Sequence, residues 1–118
     1  MRSAWGLLLG IALITAMVFA ETKTETKSSR GASADAGKKI YATTCVSCHG
    51  ADGRGASTGR ALGVKDLHSA EVKKLTNAQI EQVIANGKGN MPPWKTQLSQ
   101  QQIAEVTAFV RTLQKTSK

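Results

Sequence analysis

Residues 45–49 read Cys-Val-Ser-Cys-His, "CVSCH". Thiols three positions apart at a helix end face the same side. The histidine follows at once, four positions after the first thiol. This C-x-x-C-H spacing is the attachment site of c-type haem. Cys45 and Cys48 are placed to add to the two vinyl groups as thioethers, and the adjacent imidazole of His49 then falls beneath the iron as the proximal ligand. The expected cofactor is one covalent haem c and its iron.

Two other chemistries use parts of the same pattern. A thioredoxin-like redox pair needs C-x-x-C in a βαβ context, and no stretch of this chain alternates as a strand does. A zinc site needs four ligands. Only Cys45, Cys48, His49 and His68 are available, and there is no second C-x-x-C.

The segments around the motif predict an all-α domain of three to four short helices and long loops. Ser33 is a candidate N-cap and Asp35 favours a first turn, so a helix leads into the motif. Residues 51–63 are glycine-rich with no period, which predicts a loop. "KDLHSAEVKKL", residues 65–75, holds a weak helical turn. Thr76 with Gln79 fits a capping box before the stripe Ile80, Val83, Ile84, and Gly87 is a stop. Ser99 with Gln102 is a second capping box. Ile103, Val106, Phe109, Val110 and Leu113 then form one broad apolar face.

Outside that domain lie two different segments. Arg2 precedes an apolar run from Trp5 to Phe19, and the run ends "VFA" before "ETK". That is the pattern of a signal peptide over residues 1–20, cleaved after Ala20. If it is retained, the run is a membrane anchor instead. Residues 21–33, "ETKTETKSSRGAS", are polar and of low complexity, a disordered spacer. The domain is then 34–118. The expected compartment is the periplasm, with a membrane-anchored form facing the periplasm as the alternative.

Removing residues 1–20 from 118 leaves 98, and losing Arg2 takes the formal charge from +8 to +7. A basic protein favours acidic partners. An exported one does not meet nucleic acid, so acidic docking surfaces of redox proteins are the expected partners. Tyr41, Trp94 and Phe109 are the aromatics that remain. So small a domain is short of core, and a haem macrocycle would supply the missing apolar bulk.

Residues 86–94, "NGKGNMPPW", place Met91 between glycines and two prolines. Pro92 and Pro93 stiffen the loop. Met91 is either an anchor tucked beneath the loop or a group held out for a partner.

Residues 34–113 resemble a class I cytochrome c of the short bacterial type. "CVSCH", the helix "GKKIY" with Gly37 and Tyr41, "IANGKGNMPPW" and the closing "LSQQQIAEVTAFVRTL" carry the resemblance. It implies a small cytochrome c fold wrapped around one haem. It implies that Gly37 lets the last helix cross closely, with Phe109 as the aromatic packed there. It also implies that Met91 is the distal iron ligand and that the protein carries single electrons as a monomer, with no catalytic residues. His68 is a rival sixth ligand, with nothing to stiffen it. One departure stands out. The family commonly has a proline soon after the motif, in the loop whose carbonyl accepts the proximal imidazole N–H, and residues 50–66 contain none. Arg54, Arg60 and Trp94 are candidate partners of the haem propionates. Lys38, Lys39, Lys88 and Lys95 would form a basic ring around the haem edge.

His/Met ligation closes the iron to substrate, which suits electron transfer. The alternatives are a membrane-tethered electron-transfer subunit of a dehydrogenase or oxidase, a haem sensor or peroxidase-like protein in which Met91 leaves the iron, and a haem-free thiol–disulfide protein.

Overall fold

Residues 32–116 are described by a computed structural model. The expected signal peptide, 1–20, and nearly all of the expected spacer, 21–33, lie outside the described residues.

Among the described residues three helices of ten residues or more carry the fold: α1 (Ala34–Thr44), α5 (Asn77–Asn86) and α6 (Gln100–Thr116). Single turns lie between the first two: α2 (Val46–His49), α3 (Ser57–Ala61) and α4 (Ala70–Lys73). No strand forms among the described residues, only an isolated bridge between Lys88 and Met91.

Local chemistry sets the helix starts. Ser33 Oγ accepts from the Ala36 N–H at 3.3 Å and opens α1. Thr76 and Gln79 form the expected capping box at α5, with bonds of 2.8 and 3.2 Å. Ser99 and Gln102 do the same before α6, at 2.9 and 3.2 Å. Each box satisfies N–H groups that the first turn leaves without helical partners.

The helices meet through their apolar stripes. Tyr41 of α1, Ile80 and Ile84 of α5, and Ile103, Val106 and Val110 of α6 form the buried core. The α1–α6 crossing is tightest at Gly37, where an added Cβ would overlap the Glu105 carbonyl. Phe109 stacks edge-on against Tyr41, with centroids 5.1 Å apart and planes at 62°, a favoured aromatic geometry. The obstacle at Gly37 is main chain and cannot rotate away. Gly37→Ala is therefore expected to force the helices apart and to destabilise the domain by about 1–3 kcal/mol. A denaturant midpoint equal to the parent's would contradict this.

Arg111 fastens the end of α6 to the start of α5. Its Nε donates to Asn77 Oδ1 at 2.9 Å, and a terminal nitrogen donates to the Leu75 carbonyl. Gln114 Nε2 donates to the Leu67 carbonyl at 2.8 Å. These bonds fix the segment from Leu67 to Leu75, one wall of the site described next.

The turn α3 falls within residues 51–63, which the sequence reads as a loop. Its N-cap, Ala56, contributes no side-chain bond, so no cap announces it. Tertiary contact holds it: Gly59 sits so close to Cys48 that a Cβ there would overlap the Cys48 carbonyl.

Candidate haem site

The C-x-x-C-H motif turns at the end of α1. Cys45 closes α1 with its N–H on the Tyr41 carbonyl at 2.9 Å, and α2 begins at the next residue. The loop beyond folds back on it. Ala56 N–H donates to the Cys48 carbonyl at 3.0 Å and Gly55 N–H to the His49 carbonyl at 2.8 Å. Tyr41 Oη donates to the Gly50 carbonyl at 2.7 Å. The motif is thus held by main-chain bonds that leave its side chains free.

Beside it opens a cavity of about 360 Å³. Cys45 and His49 line it, and so does Met91, from the far side of α5 in sequence. Leu67, Val72, Leu75, Ile80, Val83 and Val110 make its walls chiefly apolar. Cys48 is half-buried one turn on from Cys45 and is not among the lining residues.

Each lining group has chemistry of its own. Burial holds the His49 imidazole below its ordinary pKa, in the neutral form that binds metals. Its Nδ1 is buried with no hydrogen-bond partner. A buried nitrogen left without a partner is costly. Burial first, then Cys48, pushes the Cys45 thiol up to about 11. A redox-active C-x-x-C has the opposite shift, toward thiolate. Both cysteines are free.

Met91 is held by its main chain. Lys88 and Met91 exchange N–H···O bonds of 3.1 and 3.0 Å around a turn at Gly89 and Asn90. Gly87, at φ +73°, lies so close that a Cβ would overlap the Met91 carbonyl. With the prolines following, the backbone is fixed where Met91 lines the cavity.

The other candidates lie elsewhere. His68 does not line the cavity: its Nε2 is 2.6 Å from the Asp52 carbonyl and its N–H donates to Asp66 Oδ1 at 2.8 Å. It staples two loops. Arg54 pairs with Asp66 at 3.8 Å, and Arg60 donates to the Gly55 carbonyl. Trp94 is half-buried against the core. None of the three lines the cavity. Of the expected ring of lysines only Lys88 does so; Lys95 donates to Asn86 Oδ1 at 3.1 Å. Sequence reasoning missed Lys65 and Glu71, which join at 3.0 Å on the rim, and Leu62, whose side chain stays 47% exposed there. Nothing local marks these residues, because the rim is assembled from separate loops.

A buried imidazole with a free nitrogen, a thiol and a thioether around one apolar cavity fit a haem. The family model that matches residues 32–110 is described as "Cytochrome C oxidase, cbb3-type, subunit III". The chain belongs to the class I cytochrome c family. Its cofactor is one covalent haem c with iron. Cytochrome c6 of Nostoc is 36% identical over 106 residues, covering 87% of this cytochrome and 85% of the relative. Cytochrome c-551 of Bacillus subtilis is 40% identical over 73 residues, covering 61% and 58%. The cbb3-type oxidase subunit FixPc of Rhizobium leguminosarum is 37% identical over 92 residues; the match covers 76% of this cytochrome but only 31% of the subunit. Among solved structures, the KustC0563 c-type cytochrome superposes with a TM-score of 0.58 at 32% identity, over 70% of this chain and 98% of its own. Cytochrome c6 of the diatom Phaeodactylum tricornutum superposes with 0.57 at 26% identity, over 70% and 95%.

Proposed function

We propose that this cytochrome is an exported one-electron carrier whose haem is bound through Cys45 and Cys48, with iron held by His49 and Met91. The observation that carries the proposal is that His49 and Met91, from elements far apart in sequence, line the same apolar cavity as Cys45. The haem supplies the ferric–ferrous couple. The chain supplies a neutral imidazole on one side, a soft thioether on the other and a dry wall between them. Met/His ligation raises the reduction potential. A stiff turn favours it, because a weak iron–sulfur bond lasts only where the sulfur is already placed.

Partners on this reading are redox proteins with acidic docking surfaces. Lys88 and the Lys65–Glu71 pair stand at the rim with the exposed Leu62, which leaves a net positive charge where the haem edge would meet a partner. Opposite charge across such an interface speeds encounter. The compartment is the periplasm, the protein a monomer, with residues 1–20 removed as signal peptide and 34–118 as the haem domain. No helix among the described residues is long and apolar enough to cross a membrane.

The family description and FixPc favour a second reading, in which the same haem domain serves an oxidase as a tethered subunit. Both readings keep the iron closed. The ferrous protein is therefore expected to show no spectral change within minutes of mixing with carbon monoxide. Rapid formation of a carbon monoxide complex would overturn both and move sensing or peroxidase chemistry ahead.

A further inference from the structure

The tip of the distal turn makes a contact across the cavity. Gly89 and Asn90 form that tip, between the paired Lys88 and Met91. From it Asn90 Nδ2 donates to the Leu62 carbonyl at 3.0 Å, over a sequence separation of 28. Both residues line the cavity. Leu62 caps the end of α3, and its own N–H is bonded to the Thr58 and Gly59 carbonyls at 3.2 and 3.0 Å. Gly59 in turn is seated on Cys48. A continuous path therefore runs from the haem-attachment motif, through α3 and over the cavity, to the turn that carries Met91.

The opposite end of the distal loop is anchored differently. Trp94 N–H donates to the Ile84 carbonyl at 3.0 Å and Lys95 N–H to the Ala85 carbonyl at 3.1 Å. Those bonds tie the loop to α5 and leave the tip cantilevered. Gly87 and Gly89, at φ +73° and +58°, shape the turn that carries this tip, and beyond the paired Lys88 and Met91 main chains the bond from Asn90 is what joins the tip to the α3 side of the cavity.

We propose that Asn90 is a latch: by bonding to Leu62 across the cavity it holds the turn closed and keeps the Met91 sulfur in place. This rests on Met91 being the distal ligand. Asn90 is a positioning residue here, acting through Met91. An alternative role for asparagine at this tip is turn propensity alone, since Asn tolerates tight turns. Aspartate and glycine tolerate them too, but neither an ionised aspartate nor glycine has a side-chain N–H to donate.

The test uses the ferric holoprotein of the parent, Asn90→Asp and Asn90→Gly at neutral pH. Each is titrated with imidazole, which reaches the iron only when the sulfur has left. The readout is disappearance of the weak far-red band given by ferric haem with a sulfur ligand. The latch predicts that the band is present in all three and that both variants reach half-saturation at about two- to fivefold lower imidazole. Unaltered imidazole affinity in the variants, with the band present in the parent, overturns the latch and leaves Met91 ligation standing. An effect in Asn90→Asp alone also overturns it, because charge would then be the cause. A parent without the band defeats Met91 ligation first, and the latch with it.

Discussion

Met91→Ala is expected to abolish the far-red band of the oxidised protein and to open the iron to added ligands. The substitution removes the thioether and leaves the rest of the distal turn, whose backbone is fixed by the paired Lys88 and Met91 main chains and by Gly87. The rival ligand expected from the sequence is not placed to replace the sulfur. His68 is engaged with Asp52 and Asp66 and lies outside the cavity lining. With Met91 on the iron as proposed, imidazole in the parent would have to wait for a minor conformer with Met91 displaced. Such conformers are typically ~0.1–10% populated, and apparent affinity is reduced by that fraction. Imidazole affinity should therefore rise by about ten- to a thousandfold in Met91→Ala, and the reduction potential should fall. A variant that keeps the band and the parent's affinity would show that another group holds the iron.

The second large effect concerns the fold. A chain with Cys45→Ser and Cys48→Ser together cannot form the thioethers, and it is expected to lose most of its cooperative structure. Among the described residues eight hydrophobic ones are buried, and the cavity of about 360 Å³ lies against five of them, Tyr41, Val72, Ile80, Ile84 and Val110. Without the macrocycle the apolar walls that face this cavity lose their packing partner and meet water instead, in a domain small enough to be marginal without such help. The colourless chain should show far-UV circular dichroism well under half that of the holoprotein, and no sharp thermal transition. A colourless variant with parental helicity and a cooperative melt would show that the haem is not part of the core.

What the sequence made legible was what is local in the chain. C-x-x-C-H needs only a helix end, and each capping box only four residues. Met91 stood out because methionine is a poor choice for a glycine–proline loop unless something else holds it. Gly37 and Phe109 were readable through the family resemblance, and the close crossing is where it was expected.

What escaped is what depends on loops meeting. The turn α3 has no cap of its own and exists because Gly59 fits against Cys48. Arg54, Arg60 and His68 looked available for the haem, yet each is bonded within the loops between α2 and α4. Lys65, Glu71 and Leu62 looked like ordinary surface, yet they form the rim. A charged or polar side chain in a long loop has many partners within reach, and only the folded loop selects one.

The measurement that bears most directly on the account is the absorption spectrum of the purified, oxidised protein. With His49 and Met91 on the iron it shows a low-spin haem with the weak far-red sulfur band. A high-spin spectrum without that band would contradict the account, place an open position on the iron and put ligand chemistry ahead of electron transport.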